Sequence, residues 1–498
     1  MKVESICIVG GGSSGWMSAA MLSHCFPDLD IALVESPDVK PIGVGESTLG
    51  HFNRFLIRLG LHNKDKEWMP YCNATYKISV RFKNFHDVDD TPWQYPFGVP
   101  KTDAQGMDVW FREAMLNKWD NSRLARDHWV SAEMAQRNVL GNYNNFKLGK
   151  DNGYHYNANE FTVWLRDNYC IPRGVIHTIG HVDNVIYDDD GVKELLIRDQ
   201  EDPITADLFI DCTGFKSLLN PTDWKPYDYL PNDRAWATRL DYKNKAVQMT
   251  NCTDCTALSS GWVWHVPTWD HIGTGYVFSS QYQSEEDALQ EFKDHLGNGA
   301  SENQEYRLIK FSGGRRIEGW WKNVVSIGLS GVFMEPLEST GIFSIHESIF
   351  YLIRILDNRK VLTQQMRDTY NCVCNKRWDG LASFVGMHYS YTQRNDSPYW
   401  KAVTQRSISG EFHEYAMKVS TINAFSLNSA LQFQGQSLEF MLVIWGGHGF
   451  NPWNPIMENE VDAEECKMVS TVNHTYKDWD LLHCLNTYEY YKNSLYKT

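Results

Sequence analysis

Four short stretches hold residue types that could do chemistry. Gly10, Gly12 and Gly15 form a GxGxxG loop, and Glu35 follows 20 residues after Gly15. Such a loop lets the backbone lie against a pyrophosphate, and an acid at that distance can accept from a ribose hydroxyl. Trp262 and Trp264 are two residues apart, so on a strand both indoles face one side. Taken alone, that pair reads as core packing before anything else. Glu338-Ser-Thr-Gly341 precedes an apolar run, Ile342 to Leu356, that reads as a helix. The first turn of a helix offers unpaired N–H groups and the positive end of a dipole, a seat for an anion. Ser339 or Thr340 could also be a plain N-cap, and the two uses are compatible because they draw on neighbouring donors.

The elements around these stretches are legible too. Ser5-Ile-Cys-Ile-Val9 suits a strand buried on both faces of a parallel sheet, Trp16 to Leu22 reads as a helix, and Ile31 to Val34 is a second strand ending at Glu35. Strand, loop, helix, strand and acid in register predict a βαβ dinucleotide site. Val175 to Ile197 reads as a hairpin turned at Asp188-Asp-Asp-Gly191, a solvated turn more readily than a calcium loop. Ala206 to Gly214 and Val324 to Ser330 each give an apolar strand followed by small residues. One glycine fingerprint, two such returns and no second GxGxxG look like an α/β, FAD-binding Rossmann-like fold of the glutathione-reductase and hydroxybenzoate-hydroxylase type. Thr75 to Phe82 alternates, with Tyr76, Ile78, Val80 and Phe82 on one face and Lys77, Ser79 and Arg81 on the other. The residues alone therefore place Lys77 on the wet face of a continuous strand.

Together the stretches resemble the flavin-dependent halogenases, particularly the tryptophan and indole branch, from residue 5 to about residue 345. Gly261-Trp-Val-Trp-His-Val-Pro267 matches the WxWxIP signature with Val266 in place of Ile, and Phe333, Pro336, Ser339 and Gly341 satisfy FxxPxxSxG. Tyr76-Lys77 after Asn73-Ala74 matches the aromatic–lysine setting, where Arg81 and Lys83 fall later than the pattern places them. The resemblance implies FAD, used as FADH2 from a separate flavin reductase, with chloride or bromide as co-substrate. It implies flavin contacts at Gly10, Gly11, Gly12, Ser14, Gly15, Glu35, Ser36, Val39, Ile42, Val44, Ser47, Val182, Leu329 and Ile342. Halide is expected at Thr340 and Gly341, and catalysis at Lys77 and Glu338, the latter favoured over Glu335. Trp262 and Trp264 become the wall between flavin and substrate, with His265 facing the other way as a structural residue. Tyr95 and Phe97, in Trp93 to Pro100, become the rings that stack on the substrate. Hypohalous acid then halogenates an electron-rich ring, indole-like or phenolic. A flavin hydroxylase would explain the fold but not the lysine, tryptophans and glutamate together, and a non-catalytic flavoprotein would explain none of the three.

Composition narrows the partners. Against 62 Asp and Glu there are 47 Lys and Arg, a net charge of −15 without a basic run, so nucleic acid and anionic membrane are poor partners. No apolar run reaches bilayer length and no signal peptide fits, so a cytoplasmic protein with reduced thiols is expected. The 11 cysteines include Cys252-Thr-Asp-Cys255 and Cys372-Val-Cys374, pairs too far apart for a compact zinc ribbon, so no metal is expected. A homo-oligomer is compatible with all of this. Residues 1–345 read as the FAD module with inserted substrate-pocket strands, and 346–498 as a mainly helical substrate-binding region containing Trp378 to Phe384 and Leu427 to Trp445. In that second region the resemblance thins. The paired tyrosines with which tryptophan halogenases hold the free amino acid are not recognisable, Ser437-Leu-Glu-Phe440 being a faint echo. The tyrosine-rich tail after Asn454 carries no chemistry legible from sequence.

Overall fold

The computed structural model describes residues 2–38, 46–101, 123–301, 303–356, 362–405, 438–448 and 481–496. It divides into two compact units. The first gathers Met1–Ala74, Tyr156–Asp228 and Phe311–Trp378; the second gathers Thr75–His155, Tyr229–Lys310 and Asp379–Thr498. The strands inserted within residues 1–345 thus group with chain beyond residue 378.

The first unit is built on a six-stranded sheet in the order Trp320–Trp321, Val324–Ser326, Leu208–Asp211, Ser5–Val9, Asp30–Glu35, Ile176–Ile179. All neighbours are parallel except the first pair. Ser5–Val9 is apolar because both of its faces are covered. Cys7 and Val9 pack with Val34, Phe209 and Val324 and with Val192, Leu195 and Ile197 of a neighbouring hairpin. Helix Ser13–Cys25 follows the glycine loop and buries every residue from Gly15 to Ser23, which its run of Met, Ala and Leu permits. The FAD-type strand returns are present: Leu208–Asp211 leads into a turn at Gly214, and Val324–Ser326 into one at Gly328.

One expected element changes here. The hairpin is Val182–Asp188 with Gly191–Ile197, whereas Ile176–Ile179 is the edge strand of the parallel sheet. Gly180 separates them, its N–H donating to Glu35 O at 2.9 Å.

The second unit is built on a seven-stranded sheet in the order Arg307–Lys310, Arg234–Asp241, His271–Phe278, Gly261–Pro267, Cys252–Leu258, Ser79–Lys83, Trp93–Pro96. Val263, Tyr276 and Phe278 pack on Ala288 and Phe292 of helix Glu285–Leu296, which covers one face. Alternation then turns Trp262 and Trp264 to the opposite face.

The continuous strand expected from Thr75 to Phe82 is broken at Ile78. Thr75–Lys77 pairs antiparallel with Gly153, Tyr154 and His155, while Ser79–Lys83 joins the large sheet. Ile78 is held at the switch by its N–H donating to Asn251 O at 2.8 Å and its carbonyl accepting from Phe97 N–H at 3.0 Å. The consequence for Lys77 is complete burial instead of a wet face.

The later chain is helical over Gln364–Ser390, Pro398–Gln405, Leu438–Gly447 and Thr487–Ser494. The helix expected at Leu427 to Trp445 is described only from Leu438. Val39, Ile42, Val44 and Ser437 lie outside the described residues. Among the described residues no helix is long and apolar enough to cross a membrane.

Candidate active site

The glycine loop is shaped by close approach. Gly10 has φ +113°, and a Cβ there would lie 2.3 Å from Cys212 O; a Cβ on Gly15 would lie 1.8 Å from Gly10 O. Only glycine fits either place, and the turn delivers the chain from Val9 straight into the helix at Ser13. A Cβ on Gly11 would strike the Glu35 carboxyl at 2.2 Å, so that acid sits directly against the loop. Gly12 faces open space. Glu35 is partly exposed, with Oε2 at 3.1 Å from His177 Nε2. Ser36 Oγ lies 3.2 Å from His181 Nδ1. Leu329 belongs to the turn at Gly328, which packs on Ser14; Val182 begins the hairpin and packs on the same core as Val9. N–H groups at a helix start, a loop in which Gly10, Gly11 and Gly15 admit no side chain, and an acid beside it fit the pyrophosphate and ribose of FAD.

The second feature of this unit is the turn before helix Thr340–Leu356. Pro336–Glu338 forms a single tight turn and Ser339 takes a left-handed φ of +57°. Thr340 is buried and its hydroxyl donates to Glu335 O at 3.2 Å. Gly341 is exposed, with nothing within 4 Å of where a Cβ would be, so the backbone is open where an anion would approach the helix start. Ser339 Oγ donates to Ser47 Oγ at 3.0 Å, and Ile342 is buried one turn into the helix. Glu338 is 1% exposed and Glu335 2%, so burial does not separate the two carboxylates.

In the second unit Lys77 is 0% exposed, and its Nζ lies 5.1 Å from the centroid of the Phe97 ring. An ammonium taken out of water is costly, and an aromatic face offsets only part of that cost. Phe97 is held by its N–H bond to Ile78, and Tyr95 lies in the edge strand with its ring 6.2 Å from Phe384. The rival cations are committed elsewhere. Arg81 grips Asp254 through Nε at 2.6 Å and Nη2 at 2.8 Å, and Lys83 Nζ reaches it at 3.0 Å. Burial alone would push the Asp254 carboxyl up, but those partners bring it down to about 2.

The residues nearest Lys77 include one that sequence reading missed. His155 faces Thr75 across the strand pair, with Nε2 2.8 Å from Thr253 Oγ1 and Nδ1 3.3 Å from Thr75 Oγ1. Burial first, then the charge of Lys77, hold its pKa well below the usual imidazole range. Its sequence setting, Gly153-Tyr-His-Tyr156, carries no signal that would single it out.

Trp262 is fully buried and Trp264 is 7% exposed; their ring centroids are 6.3 Å apart at 60°. Trp264 lies over Gly275 of the next strand, where a Cβ would come within 2.1 Å of its ring. His265 sits opposite Asp254 in the adjacent strand, and burial lowers its pKa to about 4.

The family model described as tryptophan halogenase matches residues 5–452. The chain is 34% identical over 433 residues to the 7-chloro-L-tryptophan 6-halogenase KtzR of Kutzneria sp. (strain 744), covering 80% of this chain and 82% of that protein. Among solved structures, the tryptophan 6-halogenase SttH from Streptomyces toxytricini superposes with a TM-score of 0.86 at 31% identity, covering 98% and 99% of the two chains. The apo structure of VirX1 superposes with a TM-score of 0.85 at 35% identity over 100% of both.

Proposed function

The chain belongs to the tryptophan halogenase family of flavin-dependent halogenases, and on that premise we propose that Lys77 directs hypohalous acid onto an electron-rich aromatic ring, indole-like or phenolic. The observation that carries the reading is the complete burial of the Lys77 ammonium beside the Phe97 ring. Buried ionisable groups concentrate where proteins do chemistry.

FAD would be held by the Gly10–Gly15 loop, Ser14, Glu35, Ser36, Val39, Ile42, Val44, Ser47, Val182, Leu329 and Ile342, the contacts that the resemblance implies. When bound in reduced form, delivered by a separate flavin reductase, it supplies hypohalous acid from oxygen and halide. Thr340 and Gly341 present backbone N–H groups at the helix start to chloride or bromide. Trp262 and Trp264 keep the organic substrate away from the flavin while leaving a way for small species. Lys77 orients the oxidant, either by hydrogen bonding or as a free amine whose N–H is replaced by N–X with loss of water. Phe97 and Tyr95 stack on the ring to be halogenated. Glu338 stabilises the cationic ring that halogen addition creates, or accepts its proton.

The test combines reductase, FAD, NADH, oxygen and bromide with a panel of indoles and phenols, followed by product masses. A bromine isotope pattern from the native protein, lost in Lys77→Ala, is the expected result. A mass gain of one oxygen would replace this reading with hydroxylation, and absence of product over a broad panel would remove catalysis altogether.

A further inference from the structure

The tyrosine-rich C-terminal tail, silent in the sequence, ends against the residue that precedes Lys77. Thr75–Lys77 lies at the end of its sheet, so among the described residues one edge of the strand has no strand beside it. At that edge the Tyr491 hydroxyl accepts from Tyr76 N–H and donates to Tyr76 O at 3.5 Å. A single phenol therefore serves both backbone groups that the sheet leaves open. Tyr491 is 0% exposed, and its ring lies 6.0 Å from that of Tyr76 at 27°.

The helix that presents Tyr491 is itself anchored. Leu485 and Asn486 pair with Leu140 and Val139, and the Thr487 N–H and hydroxyl both reach Asn138 O at 3.1 Å. Asn486 caps the helix by accepting from Tyr488 N–H. Trp269 is stacked by Tyr488 at 5.9 Å and by Tyr496 at 4.1 Å, with Lys245 Nζ 3.6 Å above it. The same stretch of chain is pinned on its other sides: Thr75 Oγ1 donates to Pro267 O at 2.7 Å, and Ile78 N–H donates to Asn251 O. Lys77 thus sits in a strand fixed by several distant segments, and the tail closes its open edge.

From this geometry we infer that Tyr491 is a positioning residue for Lys77, acting through the Tyr76 backbone. The inference rests on the reading of Lys77 given above. A strand edge without its phenol would let the ammonium drift, and a small displacement of an orienting group is enough to lose much of its effect. The oxidant would still form, but more of it would escape before reaching the aromatic ring. Loss of coupling, more than loss of flavin oxidation, is the signature.

The experiment compares Tyr491→Phe, Tyr488→Phe and Lys77→Ala in the full-length protein with reductase, bromide and indole. It reads bromoindole per flavin turnover, bromination of a monochlorodimedone trap in bulk solution, and Tm. For Tyr491→Phe, bromoindole per turnover falls by about five-fold and trap bromination rises, with flavin oxidation rate unchanged. Tyr488→Phe, which keeps its ring on Trp269, behaves as the native protein. Native coupling in Tyr491→Phe beside lost coupling in Lys77→Ala would overturn this inference alone. Equal losses in Tyr491→Phe and Tyr488→Phe, in step with Tm, would reduce the tail to a structural strap and overturn it too. Full coupling in Lys77→Ala would remove the reading on which it stands.

Discussion

At the scale of single residues, the account turns on Lys77 and the ring beside it. Lys77→Arg keeps a charged hydrogen-bond donor but gives up the amine that could carry halogen. Loss of bromination in that variant, measured as product per flavin turnover, favours amine chemistry; retention of a substantial fraction favours hydrogen bonding. Phe97→Leu removes the aromatic face while keeping much of the bulk. KM for indole should rise about five-fold with flavin oxidation unaltered, corresponding to an aromatic contact of about 1 kcal/mol. An unchanged KM would place the substrate elsewhere. The sequence names Lys77 through its resemblance but misjudges its surroundings. Period two across Thr75 to Phe82 is real as a pattern, yet Ile78 switches partners because Asn251 and Phe97 claim its backbone, and neither claim is local. Arg81 and Lys83 gave no warning either that Asp254, far along the chain, would engage both.

At the scale of elements, the flavin-binding half was readable because its signals are local. Ser5–Val9, the loop to Gly15, the helix and Glu35 fall within 31 contiguous residues, and the structure forms each of them. Gly15→Ala tests the loop: with Gly10 O only 1.8 Å from the new methyl, the turn cannot close, and bound FAD measured by absorbance after purification should fall at least ten-fold. Normal flavin content would contradict the assignment of the loop. Gly275→Ala tests the tryptophan strand, since the methyl would meet both the Trp264 ring at 2.1 Å and the Trp236 carbonyl at 2.4 Å. The expected cost is about 1–3 kcal/mol of stability, together with changed Trp fluorescence. What the sequence could not show at this scale is the role of the tail. Its tyrosines match no motif, and it is tertiary pairing of Leu485 and Asn486 with Leu140 and Val139 that brings Tyr491 to Tyr76.

At the scale of the whole molecule, several histidines lie buried and neutral. His128 is held at about 4 by burial and then by Lys101, while burial is also the main cause that keeps His155 and His448 well below the usual range. Each folded value lies below that of the unfolded chain, about 6.5. Their neutral forms therefore favour folding fully above pH 6.5, and that advantage is lost as pH falls toward the folded values. At His128 the cost between pH 6.5 and 5 should be about 1.5 kcal/mol, with His155 and His448 acting in the same direction. Tm should thus fall steeply from pH 7 to 5, and a flat profile would mean that these rings protonate in the folded state. Family membership was legible in four motifs, but the interleaving of the two units was not, because sheet membership depends on pairings between distant segments.

The central claim is that oxidant made with the flavin is used at Lys77. The most direct test is a single turnover of pre-reduced FAD with oxygen, bromide and indole, recording flavin oxidation and bromoindole together in native protein and Lys77→Ala. Flavin oxidation at the native rate with bromoindole lost and bromide oxidised into bulk solution is the predicted result. Native yields of bromoindole from Lys77→Ala, or its loss together with flavin oxidation, would contradict the account.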